Sequence, residues 1–394
     1  MGWLLRLTAW LVSSILLLFT LRRWLFGLAA LRPDPPCPTD PPLPPVLLLV
    51  PIHNEAAGLP ELLQALAWLE YPSAQLTVVL IDDGSTDGSP ALIREWTAPR
   101  ERWHACFLTE NVGKAAALNT ALRRFTHGDI IAIYDADERP MADALHRLVA
   151  SFAEADVGGV SGRRTIDNSL ASPAAAYTTF ENIVHQLVTM RGKDRLDLAP
   201  ALLGANCAYR RTALAAVGYF RPGALLEDSD LTLKLAQAGW RVRFEPRAVS
   251  FHAVPESIAG YWRQHTRWAR GFNEVAKAQA PALLADARLP LPLRLELLIF
   301  SLGYLDRPAL LLGLLLLPFV NPRRGLGLTL CASLLTPVFQ IIIALYVGRE
   351  PSALWQRLIW LPLFFTLDVA MAITGLWRTL RQTPQIWEER RLRQ

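Results

Sequence analysis

Residues 130–137 read IIAIYDAD, an apolar run that ends in two acidic residues separated by one position. The same order occurs twice more, because residues 46–50 (VLLLV) run into PIHNE and residues 76–81 (LTVVLI) run into DDGSTDG. Short apolar runs of this kind, separated by helical patterns, predict strands of a parallel sheet covered on both faces. In such a sheet the ligand crevice lies outside the carboxyl ends of the strands, so we expect the polar clusters to meet at one edge.

The segments between these runs complete the alternation. We predict one more strand at residues 106–108 and helices at residues 59–69 and 114–124. Strands that alternate with helices in this way are typical of an α/β fold.

Both ends of the chain are strongly apolar. Hydrophobic residues make up 52% of the 394 residues, which is too many for an ordinary soluble enzyme. Residues 7–21 carry no charge and are followed by Arg22 and Arg23, which predicts a membrane anchor whose C-terminal end is cytoplasmic. A cleaved signal peptide is the alternative, which the two arginines disfavour because they resist export.

Charge and cysteine content exclude several other classes of protein. The net charge of +5 is not gathered into a basic stripe with aromatic residues, so we expect no nucleic-acid partner. The four cysteines, at 37, 106, 207 and 331, form no closely spaced pair, so the sequence predicts neither a zinc site nor a disulfide framework.

The acidic and basic residues after the strands predict a phosphate-binding chemistry. Asp135 and Asp137 supply the oxygen ligands that a divalent cation on a pyrophosphate prefers, although Asp-x-Asp is common in loops. Asp83 can accept from a ribose hydroxyl or a base, or can belong to an ordinary turn. Lys114 opens a predicted helix and can hold a phosphate, but Ala115 replaces the Ser or Thr that a Walker loop requires.

Two later segments add candidates for catalysis. Glu227 and Asp228 open an amphipathic helix, where acids are favoured by the helix dipole but can also take a proton from an acceptor hydroxyl. Gln264, Arg267 and Trp268 fall on one face of a helix. The arginine can stabilise a departing diphosphate and the indole can stack on a sugar, whereas the alternative is a basic, aromatic helix on a membrane surface.

These five elements, in this order, resemble the motifs of membrane-bound family 2 glycosyltransferases. The most similar group is the processive synthases of cellulose, hyaluronan, chitin oligosaccharides and poly-N-acetylglucosamine, and the resemblance covers residues 46 to about 273. It implies a GT-A fold, in which a mixed, mostly parallel sheet has helices on both faces, with transmembrane helices at both ends of the chain. It also implies inverting transfer from a UDP-sugar with Mg²⁺ or Mn²⁺.

The resemblance assigns a role to each motif residue. As catalytic residues it implies Asp228, the base, with Gln264, Arg267 and Trp268. As donor-binding residues it implies Pro51, His53, Glu55, Asp83, Lys114 and Asp135. As metal ligands it implies Asp137, the preferred one, and Asp135. As acceptor-binding residues it implies Glu227, Asn206, Cys207 and Trp268. In one departure from the family, Leu226 stands where a threonine is common.

The predicted organisation has six parts. They are a transmembrane anchor (1–30), a proline-rich linker (31–45), a cytoplasmic catalytic domain (46–250), interfacial helices (251–290), a transmembrane region (291–380) and a basic tail (381–394). Within the transmembrane region, residues 308–320 are short for a span, whereas residues 325–348 and 358–377 are long enough. Three spans would place the basic tail outside and two or four would keep it inside, so the number stays open.

Two acids lie within the apolar C-terminal sequence. We expect Asp306 to be paired at the membrane interface, since Arg307 follows it, and leave the role of Asp368 open.

The leading prediction for function is a processive synthase of a β-linked polysaccharide, in a bacterial inner or plasma membrane, that passes its product through the membrane. The alternative is a single transfer to a membrane lipid such as ceramide or diacylglycerol, and a third possibility is a scaffold without activity. The predicted partners are a UDP-sugar, a glycan or lipid acceptor, the membrane, and either an export partner or further copies of the chain.

Overall fold

The computed structural model describes residues 2–34, 43–320 and 324–381. Most of the predicted proline-rich linker, including Cys37, and nearly all of the predicted basic tail lie outside the described residues.

Helices flank and connect the strands along the whole described chain. Their bounds are α1 Gly2–Ala30, α2 Leu59–Ala67, α3 Ser89–Thr97, α4 Lys114–Arg124, α5 Ala144–Ala150, α6 Pro173–Ile183, α7 Arg191–Arg195, α8 Arg211–Ala216, α9 Glu227–Gln237, α10 Ile258–Ala285, α11 Leu291–Ser301, α12 Asp306–Leu316, α13 Arg324–Gly348, α14 Ser352–Trp355 and α15 Leu361–Leu380. A π-helical segment, Val184–Met190, joins α6 to α7.

Eight strands form one mixed sheet in the order β3-β2-β1-β4-β7-β6-β8-β5. They are β1 Val46–Ile52, β2 Leu76–Asp83, β3 Trp103–Leu108, β4 Ile130–Ile133, β5 Arg139–Pro140, β6 Val157–Ile166, β7 Cys207–Arg210 and β8 Arg241–His252. The first four in this order are parallel, β7 is antiparallel to both of its neighbours, and β6 is parallel to β8. The predicted mixed, mostly parallel sheet is confirmed.

Alternate residues of β1 fill two separate cores, which explains why this strand is apolar throughout. Leu47 and Leu49 pack with residues of α4 and α9, whereas Leu48 and Val50 pack with residues of α2 and α5. Successive side chains of a strand point to opposite faces, so a sheet covered on both faces needs an uninterrupted apolar run. Both cores end where β1, β2 and β4 end, and their polar loops begin there.

Three helices within the described ranges are long and apolar enough to cross a membrane. One lies near the N-terminus (Trp3–Ala30) and two near the C-terminus (Gly325–Gly348 and Ser352–Leu380). In addition, Leu291–Ser301 and Asp306–Phe319 form an apolar pair bent by 74°.

The arginines that follow the first apolar run do more than mark a membrane boundary. Arg22 forms two hydrogen bonds of 2.7 Å with Glu296 of α11, and Arg23 pairs with Asp306 of α12. Asp306 also pairs with Arg307, as expected from the sequence, at 2.7 Å. These contacts tie the N-terminal helix to the C-terminal helices through buried charge.

Candidate active site

The loops after β1 and β2 are hydrogen-bonded to each other at one edge of the sheet. His53 Nδ1 lies 2.7 Å from the backbone oxygen of Asp83, and the Asn54 amide donates to Ser85 Oγ at 3.0 Å. The Glu55 amide donates to Ser89 Oγ at 3.1 Å, and Pro51 lies partly exposed near the end of β1. The strand ends therefore bring Pro51, His53 and Glu55 beside Asp83, as the parallel pairing of β1 and β2 predicts.

The carboxylate of Asp83 holds the loop that precedes α4. It accepts hydrogen bonds from the Val112 amide at 2.8 Å and from the Gly113 amide at 2.9 Å. Gly113 has a φ of +84°, a conformation that glycine adopts at little cost. Asp83 thus fixes the start of α4, where Lys114 is the first residue, and its contact with a donor stays a prediction.

Lys114 joins three motifs that are far apart in sequence. Its ammonium donates to Asp135 Oδ1 at 2.7 Å and to the Gly204 carbonyl at 2.9 Å, and it lies 3.4 Å from Glu227 Oε1. Burial lowers the pKa of Lys114, but the carboxylates of Asp135 and Glu227 outweigh it and hold that pKa above its ordinary value. Lys114 therefore stays charged and fixes the Asp-x-Asp loop beside α9.

Gly204 lies where these charged groups come closest. A Cβ at this position would stand 3.1 Å from Asp228 Oδ2, 3.3 Å from Lys114 Nζ and 3.5 Å from Glu227 Oε1. Its φ is +73°, which also favours glycine. The sequence placed Gly204 in a stretch similar to an acceptor site but did not single it out, because its neighbours come from other elements.

Asp228 has the electrostatic character of a general base. Burial and the neighbouring Glu227 raise its pKa to about 7, although Lys114 acts in the opposite direction. The Ser229 amide donates to Asp228 Oδ1 at 2.6 Å, which orients the carboxylate. A base whose pKa is close to neutral is partly deprotonated at the operating pH and still accepts a proton readily.

Arg164 and Glu138 belong to this site but were missed by sequence reasoning. Arg164 Nε donates to Glu138, and Arg164 Nη2 lies 3.9 Å from Asp135 Oδ2. Glu138 is 0% exposed, and burial raises its pKa to about 6 against the influence of Arg164. The available signals were an acid directly after the Asp-x-Asp and a pair of arginines on a strand, and neither is specific.

The backbone of Arg164 is held from outside the sheet. Gln186, in the π-helical segment, accepts from the Arg164 amide at 2.7 Å and donates to the Arg164 carbonyl at 2.8 Å. This two-point contact replaces a neighbouring strand at the place where Arg164 reaches the Asp-x-Asp loop.

Asp135 and Asp137 supply part of a metal site. No group of three or more His, Cys, Asp and Glu side chains that could hold a metal ion is found in the described ranges. Asp135 contacts Lys114 and Arg164, whereas Asp137 is a partly exposed carboxylate on the same loop. These hard oxygen donors fit a divalent cation whose remaining ligands come from phosphate oxygens and water.

The helix α10 brings the Gln264, Arg267 and Trp268 motif next to α9. A Cβ at Gly271 would lie 2.6 Å from Leu226, two residues before Asp228. Trp268 packs against the core and edge-on to the His265 ring at 4.8 Å, and Arg267 is exposed.

Gln264 has a buried polar atom that awaits a donor. Among the described residues its Oε1 has no hydrogen-bond partner. An unsatisfied buried oxygen is costly in a folded protein and is commonly found where a ligand binds.

The side chains of Asn206 and Cys207 lie inside the fold. Asn206 Nδ2 donates to the carbonyls of Arg163 and Ala248 at 3.0 and 2.9 Å. Cys207 donates to Tyr209 Oη at 3.2 Å, and burial raises the pKa of its thiol to about 12. Acceptor binding by these two residues stays a prediction, and the internal bonding of both side chains gives it no support.

Known proteins resemble both the sequence and the fold. Residues 48–218 match the family Glycosyl transferase family 2. Over 238 residues the chain is 30% identical to the probable glycosyltransferase YdaM of Bacillus subtilis, which is 59% of this chain and 56% of that protein. Over 285 residues it is 28% identical to a poly-beta-1,6-N-acetyl-D-glucosamine synthase of Staphylococcus aureus, which is 72% of this chain and 66% of that protein.

A solved structure shares the fold over nearly the whole chain. The mannosyltransferase PcManGT of Pyrobaculum calidifontis superposes with a TM-score of 0.67 at 24% identity, covering 96% of this chain and all of that one. The aligned part spans between about half and two thirds of the lengths of the two curated relatives. From the family match, the relatives and the shared fold, the chain is a family 2 glycosyltransferase with a GT-A-like fold.

Proposed function

We propose that this protein transfers a sugar from a nucleoside diphosphate donor, UDP in the first instance, to a hydroxyl of its acceptor with inversion at the anomeric carbon. The observation that supports this most directly is the meeting of Lys114, Asp135 and Asp228 around Gly204. A fixed cation, an Asp-x-Asp carboxylate and a base of near-neutral pKa are the groups that such a transfer requires.

The charges around the site support a divalent cation, Mg²⁺ or Mn²⁺. Lys114 and Arg164 are surrounded by five carboxylates, those of Asp135, Asp137, Glu138, Glu227 and Asp228. A diphosphate is itself an anion and would be repelled by this excess of negative charge. Asp137 and Asp135 would hold the cation, which when bound neutralises the diphosphate. PcManGT was solved with GDP-Man and Mn²⁺.

The mechanism uses the residues of the chain as follows. Asp228 takes the proton from the acceptor hydroxyl, and the resulting oxygen attacks the anomeric carbon from the face opposite the diphosphate. The new glycosidic bond forms as the bond to the diphosphate oxygen breaks, and the nucleoside diphosphate leaves. Lys114 and Arg267 stabilise the negative charge that develops on it. Trp268 supplies a ring against which the acceptor sugar can stack.

The acceptor of our main proposal is a growing β-linked polysaccharide, extended processively in the membrane by a catalytic domain on the cytoplasmic side. The similarity to the S. aureus synthase supports this choice. One observation favours the alternative of a single transfer to a membrane lipid. The helices α1, α12 and α13 contact one another directly, since a Cβ at Gly313 would meet both Val12 and Leu330 within 3.1 Å.

The experiment is a transfer assay on purified protein in nanodiscs. Radiolabelled UDP-sugars and GDP-mannose would be offered with Mg²⁺, with Mn²⁺ or with EDTA, and products would be separated by size and by extraction into organic solvent. Long, water-soluble, glycosidase-sensitive chains would establish the processive synthase. A single labelled sugar on an extractable lipid would establish the alternative. Transfer that continues unchanged in Asp228→Asn would overturn the proposed base.

A further inference from the structure

The helices α1 and α13 run side by side in the same direction. Thr20 hydrogen-bonds to Ser333 at 3.1 Å, and Trp24 Nε1 donates to Thr336 at 3.1 Å. Further along both helices, a Cβ at Gly27 would lie 3.3 Å from Ile343. Residue numbers rise together along the contact, so the two helices are parallel. If both cross a membrane, they cross it in the same sense.

The end of this bundle that faces the catalytic domain is identified by its contacts. A Cβ at Gly192 of α7 would meet Phe26 of α1. Just beyond the other helix of the pair, α13, Glu350 pairs with Arg163 of β6 at 2.8 Å. The C-terminal ends of α1 and α13 are therefore at the domain side, and their N-terminal ends are at the far side.

The helix α12 runs back in the opposite direction. Near its start Asp306 pairs with Arg23 of α1, whereas Gly313, further along, lies against Val12. Val320 reaches the same apolar cluster as Ala9. The segment Asp306–Phe319 spans about 21 Å at 1.5 Å per residue, which is short for a bilayer core but leads away from the domain. It is the return crossing that two parallel spans require.

The helix α15 stays at the domain side over most of its length. Phe364 stacks on Tyr177 at 4.9 Å and packs edge-on to Tyr261 at 5.3 Å. Asp368 pairs with Arg307, next to the Asp306–Arg23 pair, at 2.9 Å. At the other end a Cβ at Gly375 would touch Ala269 at 2.7 Å.

The partners of α15 on α10 belong to the catalytic layer. His265 Nε2 lies 2.8 Å from Glu181 of α6, and Gly271 adjoins Leu226 beside the candidate base. From Phe364 to Gly375 a helix advances about 16 Å. A helix crossing the membrane would reach far-side residues over that length, whereas α15 reaches Ala269 of α10.

We propose that α15, although long and apolar enough to span, lies in the surface of the leaflet on the catalytic side, as a floor between α10 and the lipid. Its buried residues, Phe364, Asp368, Met371, Ala372 and Gly375, recur at helical spacing and face the protein. Its outer face is apolar and ends in an arginine over an indole (Arg381 on Trp377, 4.2 Å), an arrangement suited to acyl chains bordered by headgroups.

This placement answers the topology question that the sequence left open. With α12 and α13 as the only crossings after the catalytic domain, the basic tail remains on the side of that domain, in agreement with the positive-inside tendency. The inference depends on the membrane geometry and on neither the donor nor the acceptor, so it stands or fails separately from the proposed reaction.

The first test compares three protease-cleavable epitope tags in the full chain, each inserted alone. One follows Gln394, one lies in the domain loop at Glu101, and one lies between Val320 and Arg324. In intact spheroplasts we expect only the third tag to be cleaved, and all three after permeabilisation. Cleavage of the tail tag while the Glu101 tag is protected would overturn the proposal, and so would equal cleavage of all three in intact spheroplasts. Monodisperse elution in detergent would confirm that each tagged chain is folded.

The second test measures depth directly with a matched pair of spin labels. Leu363→Cys and Trp377→Cys lie on the same exposed face of α15, separated by about 21 Å along its axis. Cys37 and Cys331 would be replaced by serine, whereas Cys106 and Cys207 are buried. Equal accessibility to oxygen and to a nickel chelate is expected for a helix in the surface. A depth difference close to the full separation would show that α15 crosses.

Discussion

At the scale of single residues, Asp228 shows how the fold changes the chemistry of a common side chain. An acid at the start of a helix is ordinarily a stabilising surface feature. Here burial and Glu227 raise its pKa to about 7, and Lys114 prevents a larger shift. Because Glu227 and Asp228 interact, the titration of the site belongs to the pair.

The raised pKa of Asp228 predicts an acid limb in the pH profile. The base must be deprotonated, so kcat/KM should fall about tenfold per pH unit below an apparent pKa near 7 and level off above it. The measurement is kcat/KM against pH in the free enzyme with a saturating cation. In Asp228→Asn we expect a rate at least about 10²-fold lower, with affinity for the nucleoside diphosphate kept within a few fold. A pH-independent rate between pH 5.5 and 7 would contradict this role.

Gly204 predicts a steric effect that separates activity from stability. In Gly204→Ala the added methyl would lie 3.1 Å from Asp228 Oδ2 and 3.3 Å from Lys114 Nζ, so we expect kcat to fall at least about tenfold, or roughly 1.4 kcal/mol. The matched control is Gly218→Ala, because Gly218 has a similar φ of +78° but nothing within 4 Å of its Cβ position. Both variants should lose about 1 kcal/mol of stability from backbone strain. Equal activity in the two would show that the crowding has no catalytic effect.

At the scale of elements, β6 connects the site to the helices beneath it. Arg164 contacts Glu138 and Asp135, while Gln186 of the π-helical segment holds its backbone. On the preceding position of the same strand, Arg163 pairs with Glu350 after α13. The two neighbouring arginines therefore point to different parts of the molecule.

This difference predicts opposite outcomes for two identical substitutions. In Arg164→Lys a single ammonium cannot reach both Glu138 and Asp135, so donor affinity should fall about tenfold or more. In Arg163→Lys, which leaves the Asp-x-Asp loop untouched, the donor KM should change less than about threefold. Donor binding by calorimetry and KM for the donor would be measured for both variants. Equal losses would indicate general damage to β6 and would contradict a donor-side role for Arg164.

At the scale of the whole molecule, buried ion pairs connect the two ends of the chain. Glu296 of α11 accepts from Arg22 of α1 at 2.7 Å and lies 3.1 Å from Lys193 of α7. One carboxylate thus joins the N-terminal helix, the catalytic domain and the C-terminal helices. Removing it leaves two cations facing each other in a buried site.

Glu296→Gln is therefore expected to lower stability by about 3–5 kcal/mol, the usual cost of breaking a buried pair. The thermal midpoint in detergent would be compared with that of Asp143→Asn, which removes a half-exposed pair with Arg147 and should cost less than about 1 kcal/mol. Arg22→Met added to Glu296→Gln should restore part of the loss. A Glu296→Gln midpoint equal to that of Asp143→Asn would show that the helices do not depend on this pair.

The accuracy of the sequence predictions followed the range of the interactions involved. The strand at 76–81 and the helix at 114–124 were placed within two residues of their observed ends, because hydrophobic period and turn chemistry act locally. The strand at 106–108 was three residues too short, since polar Trp103–Ala105 pairs with β2 and is stabilised by that pairing. The strands β5 to β8 were not identified individually, because their antiparallel pairs join distant segments.

The sequence by itself determined the class of fold, the edge at which the motifs meet, and the family of the chain, because these depend on local periodicity and on the fixed direction of parallel strands. Only the tertiary structure decided that Gly204 adjoins Asp228, that Gln186 holds Arg164, that Arg22 pairs with Glu296, and that α15 packs along α10. Each of these contacts joins segments whose side-chain types permit many partners. The choice among those partners depends on how whole helices pack, and no local pattern records it.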